Sequence, residues 1–307
     1  MRLDRMANTL ATQTVSTVGG VLFHRHSPAA VQRAVLEAML RPLPLPANSQ
    51  VLRVTLGGRR AERVTVAGSD ERRVLLYLHG GGYTIGSARA FRSLAAHLSR
   101  SAQAVVYTLD YRLAPEHPYP AALDDAVAAV LELCNDLGHP PSRVAICGDS
   151  AGGGLAVATA RCLTDYHGLR VGALGLISPW TDPASAALYR GDDKAVNRTW
   201  SALSATKYRG QADPRTPGLA PMHGDLSGLP AMTVHYGRGE VLAKQIKRFV
   251  DAVREAGTTA DLHAYPVWHS GHAWAAVVPA AAKAVNDLGG AVRRHLDAPV
   301  TSRGAGA

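Results

Sequence analysis

Three cysteines, Cys134, Cys147 and Cys162, are too few, and odd in number, for a disulfide framework in a chain of 307 residues. No C-x-x-C pair and no Cys/His spacing of a zinc site accompanies them, so no metal is expected. Each lies in an apolar stretch, which points to buried free thiols in a reducing compartment. There is no run of about eighteen apolar residues, which excludes a helical membrane span. The first residues are interrupted by Arg2, Asp4 and Arg5, and the next stretch, ANTLATQTVSTVGG, is too polar for a signal-peptide core. A cytoplasmic enzyme is the expectation. Blocks of one charge sign are missing as well. A net charge of +9 invites an anionic partner. Yet the basic residues come in pairs, such as Arg59-Arg60 and Arg72-Arg73, with no basic helix face or known module, so nucleic-acid binding is not expected. Aromatics are scarce at 6%, but hydrophobic residues make up 47%, enough for a substantial core. The length fits one large α/β domain or two ordinary ones.

The order of patterns narrows this. Ser27-Pro28 reads as the start of a helix, AAVQRAVLEAML, with Ser27 at the N-cap. Arg41-Pro-Leu-Pro-Leu-Pro46 then forms a stiff extended connector. Two short strand patterns, 51–56 and 63–68, flank a Gly57-Gly58 turn. From Val74 onward, apolar strands (74–78, 104–108, 144–147, 171–178, 232–236, 262–265) alternate with helices (88–99, 121–137, from 151, 241–256, 279–296). This predicts a mostly parallel sheet covered on both faces, with the two leading strands as an antiparallel edge. Residues 179–229 lack clear periodicity apart from a helical stretch at 201–208, as a functional lid would. In such sheets ligands bind beyond the carboxyl ends of the strands.

At one of those ends lies Gly148-Asp149-Ser150-Ala151-Gly152, which fits G-x-S-x-G. In this motif a serine sits on a strained strand-to-helix turn with its hydroxyl exposed. Any Cβ at the flanking glycines would collide with the neighbouring strand or helix. A phosphate loop is the competing reading of a strand-glycine-helix turn. It lacks the lysine of G-x-x-x-x-G-K-[ST] and the spacing of G-x-G-x-x-G.

A nucleophilic serine needs a base, and the base an orienting acid. In the loop after strand 232–236, Gly237-Arg-Gly-Glu240, the carboxylate is Glu240. Its bland reading is a first-turn glutamate favoured by the helix dipole. The loop between the last strand and the last helix holds His269 and His272, either of which could face Ser150. The order serine, acid, histidine is that of α/β-hydrolases. An oxyanion also needs donors. His79-Gly-Gly-Gly82 follows a buried strand, and the N–H groups of Gly81 and Gly82, with that of Ala151, are the candidate oxyanion hole.

Taken together, His79-Gly-Gly-Gly82-Tyr83, Asp110-Tyr-Arg-Leu-Ala-Pro-Glu-His117, Gly148-Asp-Ser-Ala-Gly-Gly153, Ser178-Pro-Trp-Thr-Asp182 and the segment Pro221–Pro230 resemble the hormone-sensitive-lipase-like branch of α/β-hydrolases, the bacterial carboxylesterases with an HGGG motif. The resemblance implies an α/β-hydrolase fold with a helical cap. Its expected parts are cap helices and linker over 1–46, a catalytic domain over 47–300 with a lid insertion at about 181–225, and a flexible tail at 301–307. It implies a triad of Ser150, Glu240 and His269. His269 is preferred over His272 because the family places its base about ten residues before a proline such as Pro279. The family's acid is more often Asp than Glu. His79 is expected to brace the oxyanion loop, and Arg112, Glu116 and Asp149 to be buried polar braces. Tyr83 and Trp180, with Trp200 and Trp274 behind them, are candidates for the substrate-binding wall. The implied activity is hydrolysis of short- to medium-chain acyl esters without cofactor. An acyltransferase, a deacetylase of a specialised ester, and a non-catalytic receptor on the same fold are the alternatives. A homodimer is left open.

Overall fold

The computed structural model describes Thr17, Gly19, Phe23 and residues 27–185 and 196–298. Half of the expected N-terminal cap and linker over 1–46, the centre of the expected lid at 186–195 and the tail at 301–307 lie outside these residues. Eight strands form one sheet: β1 (Gln50–Leu56), β2 (Arg59–Thr65), β3 (Asp70–Leu78), β4 (Ala104–Leu109), β5 (Val144–Asp149), β6 (Ala173–Ile177), β7 (Met232–Gly237) and β8 (Ala260–Tyr265). Their spatial order is β1-β2-β4-β3-β5-β6-β7-β8. Pairing is antiparallel from β1 through β2 to β4 and parallel everywhere else. The Gly57-Gly58 turn therefore does make the antiparallel edge.

Seven α-helices accompany the sheet among the described residues: α1 (Ala29–Leu40), α2 (Arg92–Ala102), α3 (Ala121–Leu131), α4 (Ala151–His167), α5 (Arg198–Arg209), α6 (Ala243–Glu255) and α7 (Pro279–Asp297). The two faces of the sheet belong to separate cores, as the period of two along a strand requires. Val74, Leu76 and Leu78 pack with Leu155 of α4 and Phe249 of α6. Leu75 and Tyr77, one step out of phase on β3, pack with Leu94 of α2 and Val285 of α7.

Several boundaries differ from the sequence reading, each for a local reason. α1 starts at Ala29 with extended Pro28 at its N-cap, so Ser27 lies one residue before the cap. α2 starts at Arg92 rather than Ala88, because residues 87–91 form a turn in which Ser87 O accepts from Ala90 N and Phe91 N. The helix expected over 121–137 is α-helical only to Leu131 and ends in a wider π turn, Glu132–Asp136. β6 stops at Ile177, where Ser178 turns left-handed at φ 47°. The lid helix is longer than expected, capped by Asn197 Oδ1 accepting from Trp200 N at 2.9 Å. All three cysteines are free, and only Cys147 is fully buried. None of the described helices is long and apolar enough to cross a membrane.

Phe249 is fully buried between α6 and the sheet. Phe249→Ala should lower the unfolding free energy by about 3–5 kcal/mol through lost transfer energy and a residual cavity, measured by urea denaturation.

Candidate active site

The carboxyl ends of β3, β5, β6, β7 and β8 converge on Ser150. β5 ends at Asp149, Ser150 adopts φ 51° and ψ −117°, and α4 begins at Ala151. A non-glycine residue held there stores about 1–3 kcal/mol of strain, so the surroundings must enforce it. They do so through the backbone. Ser150 N donates to Ile177 O at 2.9 Å, and Trp180 N donates to Ser150 O at 2.8 Å. The chain also crosses itself too closely for side chains. A Cβ on Gly152 would lie 2.0 Å from Leu78 O, and one on Gly148 would lie 2.4 Å from Gly152 O.

Asp149 ties this turn to the loop after β3. Its Oδ1 accepts from Tyr77 Oη at 2.6 Å and from Gly80 N at 2.7 Å. Burial pushes its carboxyl up from the usual carboxylate range, against the pull of these donors. His79 is held just beyond. Its Nδ1 donates to Gly80 O at 2.8 Å, and its ring stacks on Tyr111, whose hydroxyl donates to His79 O at 2.7 Å. Burial lowers its pKa and so favours the neutral ring. With Gly80 pinned, Gly81 (φ 119°) and Gly82 (φ 58°) turn their backbones past the serine. Among the described residues their N–H groups donate to no protein acceptor. The N–H of Ala151, in the first turn of α4, has no preceding helical turn to bond.

His269 Nε2 lies 2.8 Å from Ser150 Oγ, and its Nδ1 lies 3.4 Å from Glu240 Oε1. Both side chains are almost wholly buried. The second carboxylate oxygen is fixed more tightly than the first. Glu240 Oε2 accepts from Ser178 Oγ at 2.6 Å and from Gly237 N at 2.7 Å. Glu240 precedes α6 instead of lying in its first turn, so the bland dipole reading does not describe it. Ser178 is the residue that the sequence reading quoted within a motif but gave no role. Its left-handed backbone at the end of β6 directs the hydroxyl towards the β7 loop, which no local pattern reveals.

His272 is elsewhere. It is fully buried in the short helix 271–274, neither exposed nor part of a lid, and its ring lies 5.6 Å from that of His235 and 5.9 Å from Tyr265. Neither of its ring nitrogens has a hydrogen-bond partner among the described residues. Desolvation lowers its pKa to about 3, and that of His235 to about 2 with help from the His272 charge.

Among the described residues, two cavities adjoin Ser150. The larger, about 90 Å³, is walled by Leu36, Met39 and Leu40 of α1, by Ile85 and Phe91, and by Trp268 and Trp274 of the histidine loop. The smaller, about 10 Å³, is closed by Trp180, Ser201, Val241 and Leu242. Trp180 and Trp274 thus stand where a wall was expected. Tyr83 does not. Its backbone is left-handed (φ 61°), and its ring lies stacked flat on Tyr208 at 3.6 Å. Two of the expected braces also need correction. Arg112 is half-exposed and pairs with Asp125 at 2.7 Å, whereas Glu116 is exposed and pairs with Arg33 of α1 at 2.7 Å. The aliphatic wall from α1 was not anticipated, because an amphipathic helix does not say what it covers.

Two outcomes follow from these contacts. A hydrogen bond to a carboxylate is worth about 1.5–3 kcal/mol. Ser178→Ala should therefore lower kcat by about tenfold with little change in KM, read by steady-state kinetics. The buried histidines act on stability. Their folded pKa values lie below the unfolded value near 6.5, so only the unfolded state takes up protons as pH falls from about 6.5 towards 3. Stability should decline across that window, and His272→Gln should make the decline of Tm with pH shallower than in the wild type.

Comparison with known proteins agrees with this geometry. A family model described as the α/β-hydrolase fold matches residues 75–275. The chain is 39% identical over 245 residues to an acetyl-hydrolase of Streptomyces hygroscopicus, covering 78% of this chain and 81% of that protein. It is 34% identical over 244 residues to the carboxylesterase NlhH of Mycobacterium tuberculosis, covering 75% and 76%. A crystal structure of an esterase from the bacterial hormone-sensitive lipase family superimposes with a TM-score of 0.84 at 34% identity, covering 92% of this chain and 98% of that one. The chain belongs to the α/β-hydrolase family, on its hormone-sensitive-lipase-like esterase branch.

Proposed function

We propose that this chain is a serine carboxylesterase in which Ser150, His269 and Glu240 form the catalytic triad. The observation that carries the reading is the 2.8 Å contact of Ser150 Oγ with His269 Nε2, backed by Glu240 at His269 Nδ1. Ser150 donates its hydroxyl proton to Nε2 as Oγ attacks the ester carbonyl, forming the C–O bond of a tetrahedral intermediate. The N–H groups of Gly81, Gly82 and Ala151 receive the oxyanion. Glu240 accepts from Nδ1–H, which holds the tautomer and stabilises the imidazolium. The intermediate collapses, the C–O bond to the alcohol breaks, and Nε2–H protonates the departing oxygen. Water then donates a proton to Nε2, attacks the acyl-enzyme and releases the acid, returning the proton to Oγ.

The cap is proposed to consist of α1, α5 and the segments around them. Trp200 of α5 reaches Gln32 of α1 with Nε1 at 3.3 Å from Oε1 and meets Phe23 edge-on at 4.6 Å. These contacts support a roof of helices over the serine. The small volumes beside Ser150, and the relatives that are named acetyl-hydrolase and carboxylesterase, favour short acyl groups. The free thiols fit a cytoplasmic location.

The test is hydrolysis of p-nitrophenyl acetate and butyrate. Ser150→Ala and His269→Ala should each lower kcat by about 10⁶, and Glu240→Ala by about 10⁴. His272→Ala should cost far less than His269→Ala. Undiminished turnover by Ser150→Ala would end this mechanism.

A further inference from the structure

The two cavities beside Ser150 are very unequal, about 90 Å³ against about 10 Å³. They share the walls Gly82, Ser150, His269, Val196 and Trp200. Of these, Trp200 has the only large apolar side chain. Its ring reaches the oxyanion loop: a Cβ on Gly82 would lie 2.8 Å from Trp200 Cη2. The ring is also immobilised. It is buried, its Nε1 bonds Gln32, Phe23 packs against it, and its backbone N–H is capped by Asn197. It is therefore a wall common to both spaces, held in place on several sides.

We infer that Trp200 determines specificity, restricting the site to esters with one bulky apolar arm and one acetyl-sized arm, the acetyl-sized arm being the acyl group. The inference rests on the esterase reading and deepens it. The small cavity has room for about one water molecule or methyl group. Trp180, Val241 and Leu242 close it. The assignment of arms follows from the proton. The departing alcohol oxygen accepts from His269 Nε2, so the alcohol arm lies beside the loop that carries His269. That loop lines the larger cavity with Trp268, Ala273 and Trp274. The aliphatic residues of α1 complete a wall suited to a hydrocarbon alcohol. The substrate class is an acetate ester of an apolar alcohol.

Three esters separate the possibilities: hexyl acetate, its isomer ethyl hexanoate, and hexyl hexanoate. The two isomers have the same carbon count, so hydrophobicity alone does not distinguish them. The wild type should favour hexyl acetate over ethyl hexanoate by roughly tenfold or more in kcat/KM, and should turn over hexyl hexanoate poorly. Trp200→Ala removes this common wall, and the ratio of kcat/KM for hexyl hexanoate to that for hexyl acetate should rise by roughly tenfold. A ratio cancels any general loss from a disturbed Gly82. Trp200→Phe, which keeps an aromatic ring against Phe23, should show a smaller rise and serves if the alanine variant does not fold. Equal or reversed preference between the isomers would overturn the arm assignment. An unchanged ratio in both variants would overturn the role of Trp200. Hydrolysis of none of the three esters, nor of p-nitrophenyl acetate, by the wild type would instead defeat the esterase reading beneath it.

Discussion

The site depends on a crossing of two backbones at a distance that admits no side chain. Gly152, in the first turn of α4, lies so close to the end of β3 that a single methyl would sit 2.0 Å from Leu78 O. That approach brings the loop after β3 to the serine after β5, and with it the N–H groups of Gly81 and Gly82. A Cβ at Gly152 would push the two apart, separating Ser150 from the proposed oxyanion donors. The strain at Ser150, about 1–3 kcal/mol, is tolerable because β6 holds the turn on its other side through Ile177 O and Trp180 N. The parallel sheet supplies these neighbours in fixed register: Leu78 pairs with Gly148, and Asp149 with Ile177.

Polar groups then lock what the close approach permits. Asp149 is buried and carries two short hydrogen bonds, one to the β3 side chain Tyr77 and one to the loop amide of Gly80. A carboxylate without such donors would be costly at this depth. The same economy appears at Glu240. One oxygen is held by Ser178 and Gly237, which leaves the other to face His269. A glutamate is one methylene longer than an aspartate, and anchoring its far oxygen removes the freedom that the extra bond would add. Ser150 and Glu240 are thus both held by residues at the end of β6.

Much of the fold was legible because its signals are local. Continuous apolar runs such as Val74–Leu78 belong to strands covered on both faces, and Gly57-Gly58 marks a hairpin. The glycines at 148 and 152 encode a close approach whatever lies opposite them. Boundaries were less legible where a turn mimics a helix, as at residues 87–91, or where a helix widens before ending, as at Glu132–Asp136. Periodicity and loop position left His269 and His272 both open, and only the family resemblance, through the spacing to Pro279, favoured His269. Both occupy one loop, three residues apart, and the short helix 271–274 buries His272 against His235 while His269 reaches Ser150.

The sequence by itself determined the order of strands and helices, the turn that exposes Ser150, and the glycine loop that can offer bare amides, since each rests on backbone rules acting over a few residues. The tertiary structure decided what meets across the sheet ends. It placed Ser178 behind Glu240, turned Tyr83 away onto Tyr208, and set Trp200 against Gly82 with Gln32 and Phe23 behind it. Those contacts join residues far apart in the chain, where direction depends on the packing of whole elements, and no periodicity within a segment records it.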